Sequence, residues 1–483
     1  MSPSGNGDAS TRAVDVARGA LGGERAWVVG GAIRDRLLGR PTGDVDIVID
    51  GDPERAARSV ARAGSRAACF ALSREFGSWR VTARDGSWQV DVEPMRGRTL
   101  DEDLALRDFT VNAIAEPLAG GEVIDPLGGA CDVRERVLRA AGPGAFERDP
   151  LRVLRMVRMS VELGFVPDTQ TSVLAAASAA ALDTVSAERV FAELRRIIGC
   201  ERARRGLEMI SELGAGRVVL PELEALRGVE QNRFHHLDVL GHTLEVLERT
   251  IELAGPTGPC AADLQLAYGE SQQAVRDLLG EPLADEMTRG EALRWGALLH
   301  DAAKPMTRSE SPLDGRVTFM GHDVRGAKLA RDVLRRLRAS DRLQAHVAAL
   351  AREHLRLGFL VHEPQPLSRR VLYGYMKACE PVEVDVTLLS IADRLATRGD
   401  RADESIRAHL ALAPQVLAAA FKWRADGPGE PLVRGDDLAA GLGIEPGPRL
   451  GALLERLAQE RYTGEITTRE QALARAHELL PVI

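Results

Sequence analysis

The chain is poor in lysine: only Lys304, Lys328, Lys377 and Lys422 occur, so nearly all of its positive charge is arginine. That skew looks like genome composition, and arginine richness alone points to no function. Cysteine is sparse too. Five scattered residues without a Cys-x-x-Cys pair form neither a disulfide framework nor a zinc knuckle, and they suggest a reducing compartment, so a cytoplasmic protein is expected. The opening residues MSPSGNGDAS are polar, with no basic-then-apolar signal, and no run of about 18 apolar residues follows, which disfavours secretion and a membrane span. No repeat of fixed period occurs. The net charge of -8 argues against a surface that coats nucleic acid throughout, while leaving room for a local basic groove.

What is there suffices for several cores. With 483 residues, 45% hydrophobic and 28% charged, three or four domains are expected. Residues 24 to 140 alternate strand-like stretches (AWVV, DVDIVI, CFAL, WRVTA, WQVDV) with helical ones at 31 to 38 and 53 to 63. From about 146 onward the pattern is helical almost without interruption, punctuated by Gly and Pro clusters. Residues 1 to 10 and 255 to 290 read as disordered or variable, and YTGEITTREQALARAHELL near the C-terminus reads as one amphipathic helix with an N-terminal cap region.

The stretch GGAIRDRLLGRPTGDVDIVID, residues 30 to 50, carries the first chemistry. Gly30 and Gly31 lie at a strand-to-helix turn, where backbone N–H groups favour a phosphate, and Arg34 stands one turn into the helix. Alternation along the strand puts Asp44 and Asp46 on one face and Val45, Ile47 and Ile49 in the core. Two adjacent carboxylates repel unless a cation lies between them. Asp91, in WQVDVEPMR, offers a third oxygen from another strand. Three convergent carboxylates can hold two Mg²⁺ ions about 4 Å apart for in-line phosphoryl displacement. A calcium loop fails because Val48 and Ile49 stand where an oxygen ligand and a glycine are needed, and a P-loop fails because no G-K-[ST] is present.

This stretch resembles motif A of the class II nucleotidyltransferases of the polymerase β superfamily, the group containing bacterial tRNA CCA-adding enzymes and poly(A) polymerases. LRDFTVNAIA (106–115) is similar to motif B, VIDPLGGACDVRERVLR (123–139) to motif C, and FERDPLRVLRMVRMSVELGF (146–165) to motif D with the neck. The resemblance implies an α+β protein: a polymerase β-like head with a mixed sheet, then an all-helical neck, body and HD domain. It implies Asp44, Asp46 and Asp91 as the catalytic carboxylates, with Asp44 and Asp46 holding Mg²⁺. Gly30, Gly31 and Arg34 would contact the triphosphate, with Arg107 and Asp108 at the ribose. Asn112, Arg155 and Arg158 would complete the nucleotide-binding set, and Asp149 and Arg152 would read the base edge, one offering acceptors and the other donors. By spacing alone, Asp149 and Arg152 also fit a helix start with an i+3 salt bridge. Arg148, Arg152, Arg155 and Arg158, with Arg195, Arg196, Arg202, Arg204 and Arg205, fit either an RNA groove or a solvated face. Leu106 and Arg148 stand where the family usually has Arg and Glu, and only six residues separate Arg96 from Asp103, where full CCA-adding members carry a longer loop.

A second constellation, His242, His300-Asp301 and Asp393, resembles the HD metal-dependent phosphohydrolase domain, with His322 and His354 where extended members place further ligands. It implies a second divalent transition metal. Other histidines (235, 236, 346, 362, 409 and 477) are unassigned.

The expected organisation is an N-terminal tail and helix (1–23), nucleotidyltransferase head (24–140), helical neck for RNA (141–228), HD domain (229–400) and C-terminal helical tail (401–483). The expected function is template-independent addition of C, A or both to the 3′ end of tRNA from CTP and ATP. Poly(A) polymerase is an alternative, as is an HD phosphohydrolase with an RNA-binding head. No membrane partner is expected, and the protein is expected as a monomer or homodimer.

Overall fold

Polar and apolar side chains alternate at the start of the strand Asp44–Ile49, and this strand organises the head. The structure, a computed structural model, describes residues 6–73, 77–232, 234–255, 260–313 and 315–481. The chain divides into two compact units, Met1–Val219 and Leu220–Ile483.

In the first unit, β1 (Ala26–Val29), β2 (Asp44–Ile49), β3 (Ala68–Ser73), β4 (Ser78–Thr82), β5 (Gln89–Pro94) and β6 (Ala115–Pro117) form one sheet in the order β3-β4-β5-β2-β1-β6. It is mixed: β2 and β5 run parallel, and the other pairs are antiparallel. Val45, Ile47, Ile49, Val81, Val90 and Val92 are all buried and make one apolar layer. Helices α1 (Asn6–Leu21) and α3 (Pro53–Ala63) pack against the sheet, and α2 (Gly31–Leu37) lies between β1 and β2 in sequence. Asp52 caps α3 through the N–H groups of Glu54 and Arg55, Pro53 fits its first turn, and Ala56, Ala57, Val60 and Ala61 give it a buried stripe. The opposite sheet face is apolar only in part: Val29 and Val48 join Leu104, Ala113, Ala115 and Ala141 in a small cluster. The polar remainder of that face carries the carboxylates.

Helix α4 (Leu100–Ala105) and a 3-10 turn, Thr110–Asn112, precede β6, and α5 (Gly129–Glu135) follows it. Neither β6 nor the turn was legible as an element in the sequence. Asp125 caps α5 by accepting from Gly129 N and Ala130 N at 2.7 and 2.9 Å. Next come α6 (Ala145–Arg148), α7 (Arg152–Leu163), α8 (Thr169–Ser178), α9 (Ala187–Gly199) and α10 (Ala203–Glu212). Helix α7 is buried on nearly every face and packs on α9 and α10, with Gly206 against Ile197, Val157 and Val161.

The second unit is helical apart from two short strand pairs. Two expectations need correction here. Within 255–290, residues 256–259 lie outside the described residues, but Ala261–Tyr268 and Gln272–Leu279 are helices that bury Leu264, Ala267, Tyr268 and Val275, and Tyr268 donates its hydroxyl to Leu253 O at 2.9 Å. Similarly, residues 1–5 lie outside the described residues, whereas 6–10 already belong to α1. The C-terminal stretch 462–480 holds one helix behind a cap region, as read from the sequence: Gly464 turns left-handed (φ 84°) to end the helix Pro448–Thr463, and Thr468 starts Arg469–Leu479 in a capping box with Gln471. Helix Ala402–Asp426 buries Ile406, Leu410, Val416 and Trp423 in the same core as Glu383–Ala396. No helix among the described residues is long and apolar enough to cross a membrane.

Candidate active sites

The head site begins where β1 ends. Gly30 adopts φ 72°, which L side chains avoid, and a Cβ there would lie 3.3 Å from Arg107 Nη1 and 3.8 Å from Asp46 Oδ2. The bare backbone thus runs past a cation and a carboxylate. The Gly30 carbonyl accepts from Ile33 N and Arg34 N, opening α2 and leaving its first N–H groups without intrahelical acceptors. Arg34 curls back to the same turn, its Nη2 standing 3.5 Å from where a Cβ on Gly31 would be, and donates through Nη1 to Asn112 Oδ1 at 2.6 Å.

Register brings the carboxylates together. Asp46 pairs with Asp91 across the parallel β2–β5 ladder, Asp44 with Gln89 and Val48 with Glu93, so Asp44, Asp46, Asp91 and Glu93 share one face. Glu93 was not singled out from sequence, although it stands two residues from Asp91 and so had to share its face. Burial, and then the charge of Glu93, push the Asp46 carboxyl up from 3.8 to about 6, against the opposing pull of Arg107. A carboxylate crowded by like charges meets the electrostatic condition for a divalent cation, and the oxygen-only donor set suits a hard ion such as Mg²⁺. Asp91 differs from the others: Arg80 on β4 holds both of its oxygens, at 2.8 and 2.7 Å.

Behind the turn, Asn112 donates to Asp108 Oδ1 at 3.0 Å, and Arg155 donates to Asp108 Oδ2 from Nε and Nη2 at 3.0 and 2.8 Å. Burial alone would raise the Asp108 carboxyl, but Arg155, the Asn112 amide and Arg152 outweigh it and hold it well below the usual carboxylate range. Arg107 donates to Asp103 Oδ2 at 3.3 Å, while its Nε is buried without an acceptor. The short 96–103 connection is a tied turn: Arg96 N donates to Asp103 Oδ1 at 2.9 Å, Arg98 N to Glu102 Oε2 at 2.7 Å, and Thr99 caps α4.

The side chains at the start of α7 fare unequally. Asp149 accepts from Arg189 Nη2 at 2.8 Å and Leu151 N at 3.2 Å; it forms this ion pair rather than one with Arg152. Arg152 is buried and donates from Nη1 to Arg107 O and Ala145 O and from Nη2 to Leu106 O, at 2.9 to 3.1 Å. Its fork therefore braces the backbone of the Leu106-Arg107 segment. Arg158 is locked between Glu193 at 2.6 Å and Glu162 at 3.0 Å, a cross-link of α7 to α9. Arg148 reaches Ala105 O at 3.5 Å. Arg196, Arg204 and Arg205 are paired with Glu162, Glu208 and Glu212, as on a solvated face.

In the second unit six expected ligands converge from five helices or their ends: His242 (Val239–Glu252), His300 and Asp301 (after Arg289–Leu299), His322 (starting His322–Arg336), His354 (ending Asp341–Glu353) and Asp393 (Glu383–Ala396). Asp301 belongs to two groups, one with His242 and His300 and one with His322 and His354, whose donor atoms lie within 4.8 Å of one another. His242 Nε2 is 3.0 Å from Asp393 Oδ1, and His300 and His322 Nε2 lie 3.2 and 3.3 Å from Asp301 oxygens. His242 Nε2, His300 Nε2 and Asp301 Oδ1 are nevertheless buried without proper hydrogen bonds, as donors arrayed around a cation would be. His300, His322 and His354 each donate Nδ1–H to the carbonyl three residues back, at 2.7 to 2.8 Å, which fixes Nε2 as the free lone pair. Burial brings His354 down to about 4, keeping it neutral. Although burial would raise Asp301, His300 and Lys304 hold it well below the usual carboxylate range. The donor set fits a divalent transition metal.

Two contributors to this site went unread in the sequence. Lys304 reaches Asp301 Oδ2 at 2.6 Å and Gln231 Oε1 at 2.7 Å, and its place one helical turn after Asp301 was the available signal. His235 stands edge-on to His242 with ring centroids 4.9 Å apart.

Residues 26–139 match the "Poly A polymerase head domain" family, 164–226 the "Probable RNA and SrmB- binding site of polymerase A" family, and 239–398 the "HD domain" family. The chain is 35% identical over 454 residues to the A-adding tRNA nucleotidyltransferase of Deinococcus radiodurans, covering 93% of this chain and 94% of that protein. It is 33% identical over 457 residues to the CC-adding tRNA nucleotidyltransferase of Thermus thermophilus, covering 93% and 92%. Its fold is similar to the Thermotoga maritima CCA-adding enzyme complexed with tRNA (TM-score 0.58, 19% identity, covering 97% and 95%). A CCA-adding enzyme complexed with ATP gives TM-score 0.62 at 19% identity, again covering 97% and 95%. At such identities the last two likenesses are of fold.

Proposed function

Because the chain belongs to the tRNA nucleotidyltransferase family, with a poly(A) polymerase head and an HD domain, we propose that it adds C or A residues to the 3′ end of tRNA from CTP and ATP. One observation carries the reading: Asp46 stands beside Asp91 on the sheet face that also bears Asp44, with Gly30 and Arg107 at its edge. Asp44 and Asp46 would hold Mg²⁺, which would supply charge neutralisation at the reacting phosphate. The chain's own residues do the rest. The Gly30-Gly31 turn and Arg34 receive the triphosphate, Arg107 adds a buried N–H, and Asn112, fixed by Asp108 and Arg155, sets the ribose edge. Asp149 keeps acceptor capacity for the base, while Arg152 shapes the pocket through the backbone it braces. Positioning and electrostatics dominate such chemistry.

The product is part of CCA rather than all of it. The 96–103 connection is short and tied down through Asp103, and relatives named for A addition and for CC addition match nearly the whole chain. The test supplies labelled CTP or ATP to tRNAs ending before the first C, after it, and after CC. Incorporation at one kind of end identifies the step, a long A tract signals poly(A) synthesis, and no incorporation at any end refutes the assignment.

The two histidine groups sharing Asp301 favour a second activity, hydrolysis of a phosphate ester at the HD site. His242, His300, Asp301 and Asp393, with His322 and His354, would hold the metal, which supplies Lewis acidity. Lys304 adds a cation for the phosphate.

A further inference from the structure

The parallel register seats Asp91 beside Asp46, yet Asp91 does not present free oxygens. Arg80, its antiparallel partner on β4, donates Nε to Oδ1 at 2.8 Å and Nη2 to Oδ2 at 2.7 Å. The pair is largely enclosed, with side-chain exposure of 30% for Arg80 and 13% for Asp91. Bidentate charge-assisted bonds of this kind fix both rotamer and charge. Of the four carboxylates on this face, Asp44 and Asp46 make no ion pair among the described residues, Glu93 meets Arg96 Nη2 through one oxygen at 3.2 Å, and only Asp91 has both oxygens held by one guanidinium. A second acceptor lies within reach of the same guanidinium. Gln89, two residues before Asp91 and on the same face, accepts from Arg80 Nε and Nη2 at 3.1 Å when its amide oxygen is turned toward them.

We propose that Arg80 is a positioning residue of the nucleotidyltransferase head that holds Asp91 in the metal-free state and cedes it to the incoming divalent ion, shifting its own hydrogen bonds to Gln89. The affinity of the head for metal is then set by a competition between one guanidinium and one cation for a single carboxylate. The Asp44–Asp46 pair takes the ion first, and Asp91 joins only when the ion's pull exceeds that of Arg80. This rests on reading the head as metal-dependent, and it concerns a residue that contacts neither nucleotide nor RNA in the arrangement above.

The test measures Mn²⁺ binding to the full-length protein without nucleotide, by electron paramagnetic resonance of the free ion. The head's share is the binding lost in Asp46→Asn. Arg80→Gln should tighten that share about five- to tenfold, the size expected for removing one half-buried competing ion pair. Arg80→Lys, which keeps the charge but loses the planar fork, should tighten it less, and it serves as the second variant if the first misfolds. The gain should vanish in Arg80→Gln/Asp91→Asn. Unchanged or weaker binding in both Arg80 variants overturns the proposal. So does a gain that persists in the double variant, since Arg80 would then act only as a remote charge. If Asp46→Asn itself loses neither Mn²⁺ binding nor nucleotide addition, the reading of the head fails and takes this inference with it.

Discussion

Asp46 is the residue on which the head's chemistry and stability pull in opposite directions. It is an acid whose folded-state pKa is raised from 3.8 to about 6, so ionisation costs the fold free energy. The sign follows directly: without metal, its contribution is least favourable above pH 6 and recovers as pH falls toward 3.8, as the native carboxyl takes up its proton before the unfolded one. Asp46→Asn should therefore raise the Tm of chelator-treated protein at about pH 7 and raise it less near pH 4.5, while cutting nucleotide addition by roughly a thousandfold. A lower Tm in the variant at both pH values would refute the account. Asp44, Asp46 and Asp91 were legible because alternation within a strand fixes faces. Arg80 was not, because its partnership depends on the strand order, which alternation does not contain. Arg152 shows the complementary limit: residue type and spacing advertised five N–H donors, but two of the three backbone carbonyls that claim its Nη atoms belong to a segment more than forty positions upstream.

At the scale of elements, the approach of α5 to the Thr110–Asn112 turn decides whether motif B is held in place. A Cβ on Gly129 would come within 2.0 Å of Thr110 O and 2.7 Å of Thr110 C, both backbone atoms that cannot step aside without moving Asn112. Gly129→Ala should cost about 2–4 kcal/mol in denaturant unfolding and raise the KM for nucleotide, because Asn112 orients Arg34. An unchanged KM would detach the turn from the site. The helical character of the chain beyond about 146, α7 and α9 included, could be read from its periodicity, but not the faces, since α7 is buried on nearly every side, Arg152 and Arg158 included. Short elements could not: β6 and the 3-10 turn have three residues each, too few for any period to register. The 255–290 region misled because its helices are short and broken by glycines, while their burial depends on a core supplied by later helices.

The whole molecule carries two candidate centres on two compact units, and their chemistry differs in kind: carboxylates on a sheet face in one, imidazoles and carboxylates among helices in the other. Separate substitutions should separate the activities. Asp301→Asn should abolish transition-metal-dependent phosphate-ester hydrolysis while leaving CMP or AMP incorporation within about twofold, and Asp46→Asn should do the reverse. Loss of both in either variant would overturn this division. The H, HD, D order made the second centre legible from the sequence, whereas its focus on one shared carboxylate emerged only once the five helices were in place.

Lysine scarcity acquires a practical meaning at this scale. Lys328, Lys377 and Lys422 are exposed, and Lys304 is enclosed between Asp301 and Gln231. An acylating reagent therefore meets three open lysine side chains and a single shielded one, so slow modification at Lys304 itself times the opening of the histidine cluster without any engineered label.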